Sequence, residues 1–157
     1  MGAIKSKKTI VNDIKFDSSS EAAFYKKLIK MKEEGIIKDF KMQISFQILD
    51  PFTHGVEERQ GRRYICDFII TTMQDEEIVV DIKTPASDTY AFKLKEDMFL
   101  KKFKDSNFWI IYAYQRKLNR VSYFEFKLER KHGLAENNLF KQEKYKKRKS
   151  KKKEIDE

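Results

Sequence analysis

With a single cysteine, Cys66, this chain of 157 residues can form neither an internal disulfide nor a cysteine-based zinc cluster. Two histidines, His54 and His132, leave little room for His-ligated metals or Ser-His hydrolysis. Five glycines, at 2, 35, 55, 61 and 133, cannot be arranged as a G-x-G-x-x-G fingerprint or a Walker A loop, so nucleotide-binding folds built on those loops are not expected. The longest aromatic-aliphatic run, 108–114, is far too short to span a bilayer. The opening residues hold no apolar signal segment. The expectation is a cytoplasmic protein with no membrane association.

What the chain has in excess is positive charge, a formal +9. From position 141 to the end, nine basic residues face four acids, so the tail alone carries +5. Its core, Lys146, Lys147, Arg148, Lys149, Lys151, Lys152 and Lys153, contains almost nothing apolar to bury. These residues read as a flexible basic arm for nucleic-acid phosphates, or as a solubilising tail. The expected organisation is an N-terminal arm over 1–15, one globular domain over 16–140 and the basic tail over 141–157.

Ser18 followed by Glu21 has the spacing of a capping box, and Phe24, Leu28 and Met31 continue as an amphipathic face until Gly35. Alternation then predicts a strand over 40–49, a loop over 50–61, a strand over 62–72, a turn at 74–76 and a strand over 77–83. A second amphipathic helix is expected over 90–103, then strands over 107–114 and 120–128. The predicted class is α/β, a mixed sheet flanked by helices.

The chemistry converges on the third strand. Asp81 and Lys83 are two residues apart, so both side chains leave the same face, about 7 Å apart. If the strands flanking the turn form a hairpin centred on residue 74, Asp67 stands opposite Asp81, with Cβ atoms about 4.5–5.5 Å apart. Two carboxylates at that spacing repel, and Lys83 supplies only one counter-charge. Glu21 shares the apolar stripe of the first helix, where an acid needs a reason: capping, or convergence on the aspartates. Clustered carboxylates are hard oxygen donors suited to Mg2+, with Mn2+ able to substitute. Such a site suits phosphodiester hydrolysis. The bland alternatives are a surface Asp81–Lys83 pair and a purely capping Glu21. Cys66 is expected to share the face of Tyr64 and Phe68, opposite Asp67, as a small core residue. His54 is expected in solvent and His132 at a turn.

Asp67, Asp81-Ile82-Lys83 and the upstream helical Glu21 resemble the PD-(D/E)XK nuclease superfamily, as does the order of elements. Residues 16 to about 114 follow its restriction-endonuclease-like αβββαβ core. The runs 16–21 and 64–68 with Gln43 look most like small phage-encoded endonucleases, and Holliday-junction resolvases and transposition-type nuclease subunits are similar in layout. Cys66 stands where the family commonly has proline, and the second acid is Asp rather than Glu.

The resemblance implies a Mg2+-dependent endonuclease acting on DNA, with branched substrates included, in the cytoplasm of a bacterial or phage-infected cell. It implies Asp67, Asp81 and the Ile82 backbone carbonyl as metal ligands, and Glu21 as ligand to a second metal or through water. Lys83 would position the attacking water. Gln43 would be accessory, otherwise an ordinary strand hydrogen-bonder, and Lys93 and Lys95 would contact phosphates. A homodimer or a phage replication or recombination partner would suit paired cuts. The competing reading is a non-catalytic nucleic-acid-binding module on a nuclease-like fold.

Overall fold

The computed structural model describes residues 8–139. The elements are β1 (Thr9–Val11), β2 (Ile14–Phe16), α1 (Ser19–Glu33), β3 (Ile37–Met42), β4 (Ser45–Leu49), β5 (Phe52–His54), β6 (Glu57–Arg59), β7 (Arg62–Ile65), β8 (Phe68–Thr72), β9 (Glu77–Lys83), α2 (Tyr90–Lys102), β10 (Asn107–Leu118) and β11 (Val121–His132). The basic tail and the first seven residues lie outside the described residues, so the phosphate-contact role assigned to 146–153 has no structural counterpart here.

α1 begins and ends as its sequence dictates. The Ser18 hydroxyl accepts the Glu21 backbone N–H at 3.2 Å. At the other end Gly35 takes a left-handed φ of 71°. The Gly35 N–H bonds Lys32 O and the Ile36 N–H bonds Met31 O, a Schellman closure. The five-stranded sheet has the order β11-β10-β9-β8-β3. All neighbours are antiparallel except β9 and β10, whose parallel pairing is joined by the α2 crossover. The described residues therefore form a mixed α/β fold with two helices on a mixed sheet.

Each face of the sheet has its own core. One holds Phe24, Leu28, Phe68, Ile70, Ile78, Val80 and Trp109 beneath α1. The other holds Tyr64, Cys66, Ile69, Val79, Phe92, Phe99 and Phe108 beneath α2. That two-sided burial is why β9 reads apolar on both faces.

Several expectations change. The strands expected over 40–49 and 62–72 each divide in two, at Gln43 and at 66–67. They bend together: the Gln43 N–H bonds Asp67 O at 3.2 Å, and the Cys66 N–H bonds Ile44 O at 3.0 Å. The β4–β7 ribbon then lies on the α2 side, with Phe46 against Phe99 and Phe103. Tyr64 and Cys66 therefore belong to the α2 core and Phe68 to the α1 core, not to one shared face. The expected loop over 50–61 carries the hairpin β5–β6, turned at Gly55 with φ 61°. Its strands are exposed throughout, so no burial pattern marks them. Part of the expected N-terminal arm is the hairpin β1–β2, whose Phe16 packs on Tyr25 of α1 at 5.1 Å between ring centroids. The last two strands run on to Leu118 and His132, joined by Asn119 and Arg120, both at positive φ in a two-residue turn. No helix among the described residues is long and apolar enough to cross a membrane.

Leu28 is fully buried against the sheet, whereas Leu94 on α2 is 44% exposed. Leu28→Ala should lower unfolding free energy by about 2–5 kcal/mol in a urea titration. Leu94→Ala should change it by about 0.5 kcal/mol or less.

Candidate active site

The β8–β9 register pairs Phe68 with Val80 and Ile70 with Ile78. Carried one residue further, it sets Asp67 opposite Asp81, as the hairpin arithmetic requires. Backbone pairing stops there because β7 and β8 part at Asp67. The Asp67 carboxylate takes up the loose end: its Oδ2 accepts the Ile82 N–H at 2.7 Å. One side chain thus marks the bend and closes the ladder beside it.

Asp81 is 3% exposed. Its Oδ2 accepts the Tyr64 phenol O–H. Its Oδ1 is buried with no well-formed hydrogen bond, and the Lys83 ammonium lies 3.1 Å from it. Lys83 is held in turn by Phe92 of α2, whose ring centroid lies 4.1 Å from Nζ. Phenol, carboxylate and ammonium thus form one connected chain of contacts on the α2 face of the sheet, with the second aspartate opposite.

Glu21, in the first turn of α1, is half-buried at the same end of the sheet. It is coupled by charge to Asp81 and Lys83, and its own charge is felt at Asp67. Burial, then Asp17, then Asp81 push its carboxyl up from the ordinary range, while the Ser18 hydroxyl and Lys83 pull it down. Asp67 is driven well up, first by burial and then by the charges of Asp81 and Glu21. Burial also raises Asp81, against the pull of the Lys83 charge and of side-chain hydrogen bonds from Tyr64, Lys83 and Asp67. Burial and the Asp81 charge push the Tyr64 phenol well above its usual value, so it stays a donor. Burial likewise lifts the Cys66 thiol to about 12, consistent with an inert core residue.

Three acids, one lysine and a buried carboxylate oxygen lacking a full partner set leave negative charge unbalanced. The donors are hard oxygens, and Mg2+ is commonly held by one or two carboxylates with water and phosphate completing its shell. The residues therefore fit such an ion through the aspartate pair. Among the described residues, no group of three or more His, Cys, Asp or Glu side chains is arranged to hold a metal together. Glu21 thus enters the site as a neighbouring charge. Gln43 is exposed at the bend, and its backbone N–H, bonded to the Asp67 carbonyl, is what ties it to the site. Lys93 and Lys95 are exposed on α2.

A family model spans residues 1–119, which include all four of these charged residues. The chain belongs to the family described as "Protein of unknown function (DUF1064)". No curated protein and no solved structure matches the chain.

Next to the aspartate pair of this DUF1064 chain lies a second polar cluster that the sequence expectations did not include. Arg130 of β11 grips Asp88 through Nη1 and Nη2 at 2.6 and 2.9 Å. It also grips Glu96 of α2 through Nε and Nη2 at 2.9 and 2.8 Å. His132, expected at a turn, ends β11 instead and bonds Glu96 at 2.7 Å, and Tyr112 donates to Asp88. The signal for Glu96 was available: with Phe92 and Phe99 it makes i, i+4, i+7, an acid on an apolar stripe. Tyr64 could have been sought as the donor that a buried Asp81 demands.

The two clusters predict opposite pH limbs. Asp67 binds its proton more tightly folded than unfolded. Metal-free stability should therefore fall as pH rises from about 4 through the raised folded values. Asp67→Asn keeps the Ile82 hydrogen bond and should raise Tm at neutral pH. Arg130 holds Asp88 down to about 2. Its contribution should be lost as pH falls from about 4 to that value, and Asp88→Asn should flatten this acid limb. Thermal melts in chelator from acid to neutral pH measure both.

Proposed function

We propose that the chain is a metal-dependent DNA endonuclease that hydrolyses phosphodiester bonds, on a restriction-endonuclease-like core. The observation that carries this reading is the opposed Asp67–Asp81 pair beside Lys83, short of positive charge and anchored by backbone and phenol donors. A buried acid pair that is left unbalanced destabilises the protein at neutral pH, as expected of a site kept for chemistry rather than for stability.

Asp67 and Asp81 would hold Mg2+ or Mn2+, with the Ile82 carbonyl as a further oxygen donor. When bound, such an ion neutralises a phosphate oxygen and lowers the pKa of its water. Tyr64 fixes the rotamer of Asp81, leaving Oδ1 aimed at the site. The Phe92 ring restrains the Lys83 ammonium, which can hold the attacking water and meet the charge that develops on phosphate. Glu21 adds negative charge that favours a second cation or orients water. Gln43 is an accessory group beside Asp67, and Lys93 and Lys95 are available to phosphates. A binding module without catalysis fits less well, because a DNA-facing surface gains nothing from opposed carboxylates.

The test is cleavage of labelled four-way junction, linear duplex and single strand, with Mg2+ or with chelator. Wild type should cut only with metal. Asp81→Asn and Lys83→Ala should each lower the rate by about 10²–10⁴-fold. Mg2+ should also raise the Tm of wild type and not that of Asp81→Asn. Duplex binding without cutting of any substrate, unaffected by metal, would establish the binding-module reading instead.

A further inference from the structure

The acid site repels the polyanion it is proposed to cut, so affinity must come from another element. β9 ends at Lys83, in register with Tyr112 of β10. Because β10 runs parallel to β9, its remaining residues continue past Lys83 in the same direction, with β11 as their paired strand. At the base of this extension Ala113 is buried and Phe126 meets Phe24 of α1 at 5.0 Å, one turn from Glu21. Beyond the base, residues 114–123 form a two-stranded ribbon about 15 Å long.

The pleat sorts its side chains. Tyr112, Tyr114, Arg116 and Leu118 continue the face that carries Asp81 and Lys83, and their cross-strand partners include Tyr123 and Val121. Arg116 lies 5.3 Å over the Tyr114 ring. Lys117 and Arg120 are exposed, and the tip bears Leu118 and Val121, each 65% exposed. Lysine on an exposed strand guards against edge pairing. That role explains neither two apolar side chains at the tip nor an aromatic-basic row on the site face.

We infer that the β10–β11 ribbon is the arm that grips duplex DNA, entering a groove with Lys117 and Arg120 on the phosphates and Leu118 and Val121 against the base steps. Two-stranded ribbons enter DNA grooves, basic side chains at their flanks reach backbone phosphates, and apolar side chains wedge between base steps in minor-groove proteins that bend DNA. The choice of DNA as occupant rests on the nuclease reading. The position beside Lys83 would then place the gripped duplex over the aspartate pair.

The experiment is anisotropy titration of a labelled duplex by the full chain in chelator, so that no cutting occurs, over a salt series. Lys117→Ala/Arg120→Ala should weaken binding and make the slope of log K against log salt shallower by about two. The charge-matched double variant Lys26→Ala/Lys101→Ala, at exposed helix positions outside the ribbon, should do less. Leu118→Ser/Val121→Ser should weaken duplex binding with the salt slope unchanged. Unchanged binding by the Lys117/Arg120 variant, or a loss no greater than the control's, overturns the proposal. So does a wild-type dimer that Leu118→Ser/Val121→Ser dissociates with DNA affinity intact, which would make the tip a contact between copies. Asp81→Asn separates this from the catalytic reading. If it cuts normally, the active-site assignment fails while the arm variant's binding loss still stands. If it is dead and the arm variants bind normally, only the arm fails.

Discussion

The opposition of Asp67 and Asp81 across the β8–β9 hairpin is the constraint around which the rest of the structure is arranged. Like charges directly opposite on a sheet are destabilising, and here one of them is almost wholly buried. Each neighbouring feature answers that problem. The bend at Gln43 and Asp67 frees the Ile82 N–H for one carboxylate. It also swings β7 to where Tyr64 can donate to the other. The α2 crossover brings Phe92 over Lys83, which keeps the single counter-charge in place. Burial outweighs the donors that remain, so the carboxyls of Glu21, Asp67 and Asp81 all rise from their ordinary range.

The Arg130 cluster is a fully compensated polar group, in contrast to the aspartate pair in the same molecule. Asp88 and Glu96 are also withdrawn from water, but a guanidinium forks between them and His132 and Tyr112 complete the network. Satisfied in this way, Asp88 stays ionised down to about 2. Its task is mechanical: it ties the segment after Lys83 to α2 and β11, the two elements that flank the aspartate site. Removing one partner of such a network leaves a charge buried alone, which is why these clusters favour a single arrangement of the surrounding elements. The aspartate pair lacks that closure, and the missing closure distinguishes it, because carboxylates alone are common in both.

Much of this was legible in the sequence, and the limits have physical causes. The turn at 74–76 and the uniform apolar character of β9 sufficed to place Asp67 opposite Asp81, since hairpin register is arithmetic once the turn is known. The caps of α1 were legible because Ser18 and Gly35 act through local backbone chemistry. The bend at Gln43 was not, because no glycine or proline marks it and the alternation Met42, Ile44, Phe46 runs through it unbroken. The side chains merely enter a different core. Missing the bend also hid Tyr64, whose side chain reaches Asp81 only because β7 leaves the sheet. The length of β10 and β11 escaped for the opposite reason. Past residue 114 the ribbon has little core to face, so its polar, basic sequence carries no burial signal. Glu96 was a failure of application, since the stripe argument used for Glu21 applies to it unchanged.

The electrostatic layout has a consequence for how binding and chemistry divide. The chain is strongly basic overall, yet the proposed reaction centre is locally acidic. A phosphate approaching Asp67 and Asp81 without metal meets repulsion that Lys83 alone does not cancel. Affinity for a polyanion must then reside in elements that flank the centre, and its strength must depend on salt while the chemical step depends on divalent metal. Substitutions at the acids remove negative charge from the path of the backbone, so they should cost turnover without costing affinity. Substitutions on the basic elements should do the reverse. A protein whose acids were merely structural would show neither separation, because loss of a compensated acid perturbs the fold before it perturbs binding.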